Sequence, residues 1–280
     1  MKIFRFQADL KQFVNALLAE HKTIGFVPTM GALHDGHMSL VQQAKKDNDA
    51  VIVSVFINPT QFNNAEDLAK YPRTEEADLE MLIRNDCDAV YIPAVADLYE
   101  ADEQAKKYDF GGIEKVMEGK FRPGHFDGVA TVVSKLLKIT QPTRAYFGEK
   151  DFQQIRIIQE MVKQEKLAVQ IVPMPIHRAE TGLALSSRNA RLTPEFLEAA
   201  PFIYNTLQQA KTLKNEGKSV EEVKNFVVES FASSSFDLEY FEITDEKKLL
   251  PLTQFDAMTP ARGFVVAYAG DIRLIDNIAF

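Results

Sequence analysis

The sequence has little cysteine, no long apolar run and no concentrated basic segment. Cys87 is the single cysteine, which excludes an intramolecular disulfide framework and a zinc site built from several cysteines. We therefore expect a reducing compartment, with Cys87 as a small packed side chain rather than a nucleophile. No stretch approaches the roughly 18 apolar residues of a membrane helix, and the N-terminal residues lack the apolar core of a signal peptide. These absences predict a cytoplasmic protein.

The charge balance argues against nucleic acid as a main partner. The chain has 40 acidic and 32 basic residues, a net charge of −8, and no block of Lys and Arg suited to a phosphate backbone. A few locally placed cations could still hold an anionic small molecule. With 280 residues, 46% of them hydrophobic, the chain can form one large globular domain or two smaller ones.

The order of apolar segments predicts a doubly wound α/β domain. Predicted strands cover residues 23–29, 50–57, 88–93, 144–148 and 168–175, and predicted helices cover 8–20, 37–46, 75–85, 128–140 and 152–165. Continuous apolar strands that alternate with helices indicate a parallel sheet covered on both faces. The loops that follow these strands then meet at the carboxyl edge of the sheet.

The pattern changes after residue 192. Thr193-Pro194 predicts one helix start, and Ser219 with Glu222 predicts another as a capping box. Three strand-like segments follow, FDLEYFEIT, FVVAYAG and IRLIDNI. We therefore expect a smaller α+β C-terminal domain and divide the chain into residues 1–180 and 181–280.

The segment VPTMGALHDGHMSL, residues 27–40, predicts an anion site on the first carboxyl-edge loop. Gly31 and Gly36 let the backbone approach a ligand, and the start of the following helix favours negative charge. His34 and His37 lie three residues apart, so both can reach one anion. Imidazole can donate to a phosphate oxygen, or as a cation offset charge that develops there. The alternative is that one histidine caps the helix while the other lies at the surface.

Two further carboxyl-edge loops carry amides and a cation. Asn58 and Gln61 lie in NPTQF, where they could bind hydroxyl and carboxylate groups or simply bond to their own turn. In YFGEKDFQQ, Lys150 could meet a phosphate, and Asp151 is predicted to cap the next helix. Gln154 shares the helical period of an apolar stripe, and a buried amide there would indicate a ligand.

Two more segments leave their function open. Ser186, Ser187 and Arg188 could surround phosphate oxygens, although serine-rich turns are common in plain loops. FRPGHFDGVAT, residues 121–131, could be a lid or a connector. The patterns HExxH, GxxxxGK[ST] and GxSxG do not occur, so a phosphate site built on HxGH, with Mg²⁺ as the companion of a nucleotide, is the favoured interpretation.

Six separated blocks resemble the pantothenate synthetase (pantoate–β-alanine ligase) family. They are PTMGALHDGH, NPTQF, YPRT, FRPGHFDGV, YFGEKDFQQ and GLALSSRN, in this order between residues 28 and 189. The resemblance implies a Rossmann-like domain of the nucleotidyltransferase type that binds ATP and pantoate, and a homodimer. It also implies ATP-dependent condensation of (R)-pantoate with β-alanine, through pantoyl adenylate, to give pantothenate, AMP and diphosphate.

The resemblance also assigns roles to residues. His37 would be the proton donor, with His34 and Lys150 as further catalytic groups on the phosphates. Gln61 and Gln154 would bind pantoate, and Gln61 would also bind β-alanine. The implied ATP-binding residues are Met30, Gly31, Ala32, Leu33, His34, Asp35, Gly36, His37, Gly148, Glu149, Lys150, Asp151, His177, Leu185, Ser186, Ser187 and Arg188.

Two departures from the family pattern accompany these roles. His177 stands where relatives often have an apolar residue, and Ala77 precedes Asp78 where an acidic residue is frequent. Because of the second departure, no Mg²⁺ ligand is assigned. Two alternative functions are another HxGH nucleotidyltransferase acting on a phosphorylated small molecule, and a catalytically silent nucleotide sensor. Neither alternative gives the two glutamines a shared task.

Overall fold

The computed structural model describes residues 1–63 and 65–280, which form two compact units. The first unit comprises residues 1–114 and 118–175, and the second comprises 115–117 and 176–280. The main division therefore follows residue 175, whereas the sequence pattern suggested residue 180.

A six-stranded parallel sheet forms the centre of the first unit. Its strands are β1 (Lys2–Phe4), β2 (Ile24–Thr29), β3 (Ala50–Val55), β4 (Ala89–Tyr91), β5 (Arg144–Gly148) and β6 (Gln170–Met174). The central strands β2, β3 and β4 are buried almost throughout, as the apolar runs predicted for a sheet covered on both faces. Strand β1 was not predicted, because its three residues are largely exposed and carry no burial pattern.

Eight helices accompany this sheet among the described residues. They are α1 (Gln7–Ala19), α2 (Asp35–Asp47), α3 (Ala65–Lys70), α4 (Glu75–Arg84), α5 (Val95–Leu98), α6 (Glu118–Phe121), α7 (His125–Thr140) and α8 (Phe152–Gln164). The short helices α3, α5 and α6 were not predicted, since they have too few turns for a helical period to be recognised.

The strand order β1-β4-β3-β2-β5-β6 creates a switch point beside β2. From β2 the chain continues to β3 on one side, and β5 later pairs with the other side of β2. The loops after β2 and β5 therefore diverge at the carboxyl edge. Open α/β sheets bind ligands in the crevice at such a point.

The second unit packs helices against a three-stranded antiparallel sheet. Its elements are α9 (Pro194–Ala199), α10 (Pro201–Asn215), α11 (Val220–Ala232), β7 (Asp237–Asp245), β8 (Ala261–Ala269) and β9 (Ile272–Ala279). Thr193 accepts a hydrogen bond from the N–H of Phe196, and Ser219 and Glu222 form a capping box. Both predicted helix starts and the α+β character of this part are thus confirmed.

Cys87 is a packed side chain, as predicted. It is buried beneath β3 and β4, and its Sγ lies 3.2 Å from the carbonyl oxygen of Ala89. Burial raises the pKa of the thiol to about 12, so the thiolate is scarce at neutral pH. Within residues 1–63 and 65–280, no helix combines the length and apolarity needed to cross a bilayer.

Candidate active site

The loop between β2 and α2 brings His34 and His37 together. Helix α2 begins at Asp35, two residues earlier than predicted, so His34 immediately precedes the helix and His37 lies in its first turn. The centroids of the two imidazole rings are 4.0 Å apart. Gly31 adopts φ +81°, a conformation that favours glycine, and allows the turn that leads to both rings.

The hydrogen bonding of His37 fixes which ring nitrogen carries its proton. The backbone N–H of His34 donates to Nδ1 of His37 over 3.3 Å. Because a backbone N–H can only donate, Nδ1 is the acceptor, and the proton of the neutral ring is on Nε2. Loss of hydration lowers the pKa of His37 to about 3, and the positive charges of His34 and Lys150 act in the same direction. His37 is therefore neutral at pH 7 and has an N–H donor at Nε2.

Lys150 lies on the turn between β5 and α8. The strand ends at Gly148, residues 149–151 form one 3₁₀ turn, and α8 begins at Phe152. The Lys150 side chain is 18% exposed, with Nζ 3.8 Å from Oδ2 of Asp151. Asp151 occupies the position before α8, but within the described residues its side chain makes no capping hydrogen bond, so the prediction of a side-chain cap was wrong.

Gln61 is held by a buried amide network. Asn58 is 1% exposed and donates from Nδ2 to Oε1 of Gln61 over 3.1 Å and to the carbonyl oxygen of Gly128 over 3.2 Å. The hydroxyl of Tyr99 donates to Oδ1 of Asn58 over 2.9 Å. Gln61 Nε2 lies 3.0 Å from Sδ of Met30, and a thioether is only a weak acceptor. Gln61 therefore presents a fixed N–H donor beside the β2–α2 loop.

The segment FRPGHFDGV braces the turn that carries Gln61. His125 begins α7, is buried, and donates from Nδ1 to the carbonyl oxygen of Gln61 over 2.8 Å. Arg122 donates to the same oxygen over 3.3 Å. A Cβ at Gly128 would lie 2.4 Å from the carbonyl oxygen of Thr60, so only glycine permits this close approach. The sequence signal for this contact was a glycine inside a helix, where it is otherwise unfavourable.

The buried amide at the start of α8 is Gln153, not Gln154. Gln153 is 4% exposed, donates to the carbonyl oxygen of Ile113 over 2.8 Å and accepts from the N–H of Glu118 over 3.1 Å. The expectation of a buried amide at Gln154 was not met, although Gln154 keeps the helical spacing to the buried Ile157, Ile158 and Met161. Gln154 is half-buried instead, one residue further along the first turn.

The remaining predicted ATP-binding residues lie in the second unit. His177 is exposed, and its carbonyl oxygen accepts from the N–H of Leu185 over 3.0 Å. The Ser186 hydroxyl accepts from the N–H of Arg188 over 3.2 Å, at the start of the 3₁₀ turn Ser187–Arg191. The predicted serine-arginine turn is therefore a defined structure, anchored to the His177 segment by backbone pairing.

The described residues contain no group of three or more His, Cys, Asp or Glu side chains placed to hold a metal ion. Asp78 was considered in the sequence only as a residue near a possible Mg²⁺ site. It is 3% exposed and accepts hydrogen bonds from the N–H groups of Ala32 and Leu33 in the β2–α2 loop. Its acceptor role at this loop was not predicted, because the pairing joins residues 46 positions apart in the chain.

Comparison with known proteins agrees with the six sequence blocks. The family model described as pantoate-beta-alanine ligase matches residues 2–279. The chain belongs to the pantoate–β-alanine ligase family. It is 50% identical to the pantothenate synthetase of Flavobacterium psychrophilum, over 100% of this chain and 99% of that protein.

Solved structures of the family share the fold. The pantothenate synthetase of Thermus thermophilus is 40% identical and superposes with a TM-score of 0.92, covering 99% of each chain. The pantoate–β-alanine ligase of Francisella tularensis is 38% identical, with a TM-score of 0.81, over 100% of this chain and 97% of that one. The Francisella structure is a complex with beta-gamma ATP and β-alanine. The family resemblance predicted from the sequence is thus confirmed.

Proposed function

We propose that this protein condenses (R)-pantoate with β-alanine at the expense of ATP, giving pantothenate, AMP and diphosphate. The observation that carries the proposal is the arrangement at the carboxyl edge of one sheet. There the Nε2–H of His37 and the ammonium of Lys150 suit phosphate oxygens, and the amide of Gln61 suits a hydroxy acid. Membership of the pantoate–β-alanine ligase family supports the same reaction.

In the first step, the carboxylate of pantoate attacks the α-phosphorus of ATP. A new P–O bond forms, the bond to the β-phosphate bridge breaks, and diphosphate leaves with the electron pair. Negative charge builds on the α-phosphate oxygens, where His34, His37 and Lys150 stabilise it by donating hydrogen bonds or by their charge. His37 donates from Nε2 because Nδ1 is already an acceptor.

In the second step, the amine of β-alanine attacks the acyl carbon of pantoyl adenylate. The C–N bond forms, AMP leaves with the C–O electron pair, and the amine loses a proton to solvent. Gln61 and Gln154 hold the pantoyl group, and Gln61 also contacts β-alanine. Because the adenylate is already activated, the protein contributes mainly by orienting the two reactants.

Within the first unit, we propose that residues 30–37 and 148–151 contact ATP. For the second unit, the family resemblance assigns His177 and residues 185–188 to ATP. Since no protein cluster suited to a metal occurs among the described residues, Mg²⁺ would enter on the triphosphate and offset its charge. We further propose a cytoplasmic homodimer, with a molecular mass in solution twice the 31.6 kDa of the chain.

The test is product formation with each substrate omitted in turn. Purified protein with ATP, Mg²⁺, pantoate and β-alanine should yield equal amounts of AMP and pantothenate by mass spectrometry. Without β-alanine, each active site should release about one diphosphate, because the pantoyl adenylate that forms with it is not consumed. A folded protein that releases no AMP in the presence of pantoate contradicts the proposal, and turnover with a phosphorylated acceptor favours the other HxGH reaction.

A further inference from the structure

Asp78 contacts the ATP loop although it lies outside the residues assigned to ATP. It is in the first turn of α4, and its carboxylate accepts from the N–H of Ala32 at Oδ2 over 3.0 Å and from the N–H of Leu33 at Oδ1 over 2.8 Å. Thr74 also donates to Oδ1 over 3.1 Å. With 3% exposure, this carboxylate is buried and its charge is stabilised by hydrogen bonds.

The loop above Asp78 has a backbone conformation that needs support. Gly31 and Ala32 have φ values of +81° and +50°, so two consecutive residues lie in the left-handed region. Alanine rarely adopts this region without compensating contacts. A Cβ at Gly31 would lie 3.0 Å from Oδ2 of Asp78 and 3.0 Å from Cγ1 of Val55. The loop therefore packs directly on the carboxylate.

We propose that Asp78 is a positioning residue, which holds the β2–α2 loop in the conformation that binds ATP. This inference rests on the proposed function for the identity of the ligand. The N–H groups of Ala32 and Leu33 point to Asp78, so they are not the phosphate donors of the loop. Phosphate contacts then come from His34 and His37 and from the first amides of α2.

The Asp78→Asn variant tests this role with almost no change in volume. Asparagine has one acceptor oxygen and one NH₂ group, so in either orientation a donor faces one of the two loop N–H groups. The affinity for a nonhydrolysable ATP analogue should fall at least tenfold, as expected when a charged acceptor is lost. The KM for pantoate should stay within about twofold.

Glu76→Gln is the matched control. Glu76 lies in the same first turn of α4, is exposed, and loses the same charge on substitution. Its analogue affinity should remain within about twofold of wild type. An effect as large as that of Asp78→Asn would mean that the charge at the helix start is responsible, and would overturn the positioning role.

Calorimetric titration with and without Mg²⁺ separates positioning from metal binding. Positioning predicts that Asp78→Asn loses the same factor in analogue affinity under both conditions. A loss confined to the Mg²⁺ experiment, or an unaltered affinity in the folded variant, would overturn the proposal. These titrations measure the affinity of the loop for the ATP analogue and do not depend on the overall reaction. If the wild-type protein made no pantothenate, that result would contradict the proposed function but not the positioning role of Asp78.

Thr74→Val is the second variant if Asp78→Asn does not fold. It removes one donor to the carboxylate and leaves both loop contacts in place. A two- to fivefold weaker analogue affinity is expected, since Thr74 acts on the loop only through the carboxylate and part of the energy of one hydrogen bond reaches the ligand. Unaltered affinity in the folded Thr74→Val protein would contradict the role of this network.

Discussion

The two ring nitrogens of His37 have different tasks, and two amide substitutions can separate them. In His37→Gln the amide nitrogen can occupy the position of Nε2, so a donor to the phosphate is kept. In His37→Asn the shorter side chain places its amide near Nδ1, where its oxygen can accept from the N–H of His34 but no donor reaches the ligand. The 3.3 Å contact at Nδ1 is long for a hydrogen bond, so its loss should cost about 1 kcal/mol or less.

The expected losses follow from this assignment. Removing a donor to developing phosphate charge costs about 100-fold or more in adenylate formation, so His37→Asn should fall by at least that factor. His37→Gln should retain about tenfold more activity than His37→Asn, since a neutral donor remains. Diphosphate release in a rapid-quench experiment measures the step, and thermal unfolding checks that both variants fold. Equal activity of the two variants would refute the assignment.

The pH dependence gives an independent check on His37. The pKa of His37 is lowered to about 3, so the neutral form dominates above that value and the ring keeps its charge state across the neutral range. The ratio of kcat/KM for ATP between wild type and His37→Gln should be constant from about pH 5.5 to 7.5, because the ionisation of ATP itself cancels. A group with an ordinary pKa of about 6.5 would change its charged fraction about tenfold over that range. A tenfold change in the ratio would therefore refute a neutral His37.

Three further outcomes test the site and its scaffold. Gln154→Ala should raise the KM for pantoate far more than that for ATP, and calorimetry showing equal losses would contradict a role in binding the acid. Gly128→Ala should lower the melting temperature and raise the KM for pantoate, because the new Cβ would lie 2.4 Å from the carbonyl oxygen of Thr60. Wild-type values for both quantities would contradict a role of this contact in positioning Gln61. The pKa of Glu165 is lowered to about 2, chiefly by hydrogen bonds from two lysines, so its stabilisation is present above pH 4.5 and is lost as the pH falls toward 2. The free energies of unfolding of wild type and Glu165→Gln should differ by about 1 kcal/mol near pH 6, a value kept small because the two lysines are exposed, and should converge near pH 2. A difference that does not shrink at low pH would contradict a stabilisation that depends on the ionised Glu165.

The elements of the fold were predictable where burial is periodic or continuous. The structure contains the predicted apolar strands β2, β3 and β5 and the predicted helix caps at Thr193 and Ser219. These features were predictable because each is determined by residues that are close together in the sequence. Strand β1 escaped prediction because an exposed edge strand needs no apolar pattern.

The support of the site was much less predictable than its location. The loops at the carboxyl edge follow from the order of strands and helices, so His34, His37, Gln61 and Lys150 could be named as candidates in advance. The contacts that orient them come from distant segments, such as Asp78 at the β2–α2 loop and the helix start at His125. A single sequence carries no pairing information at such separations. At the start of α8, Gln153 is buried and Gln154 half-buried, and the apolar period of the helix does not show which of two adjacent amides is enclosed.

The most direct measurement of the central claim uses pantoate labelled with ¹⁸O in its carboxylate. If the carboxylate oxygen attacks the α-phosphorus and the acyl–oxygen bond then breaks, each turnover leaves one labelled oxygen in AMP and one in the amide carbonyl of pantothenate. Mass spectrometry of the products in ordinary water should find this equal division. AMP without label, with the departing labelled oxygen found in inorganic phosphate or in water instead, would contradict an adenylate formed at this site.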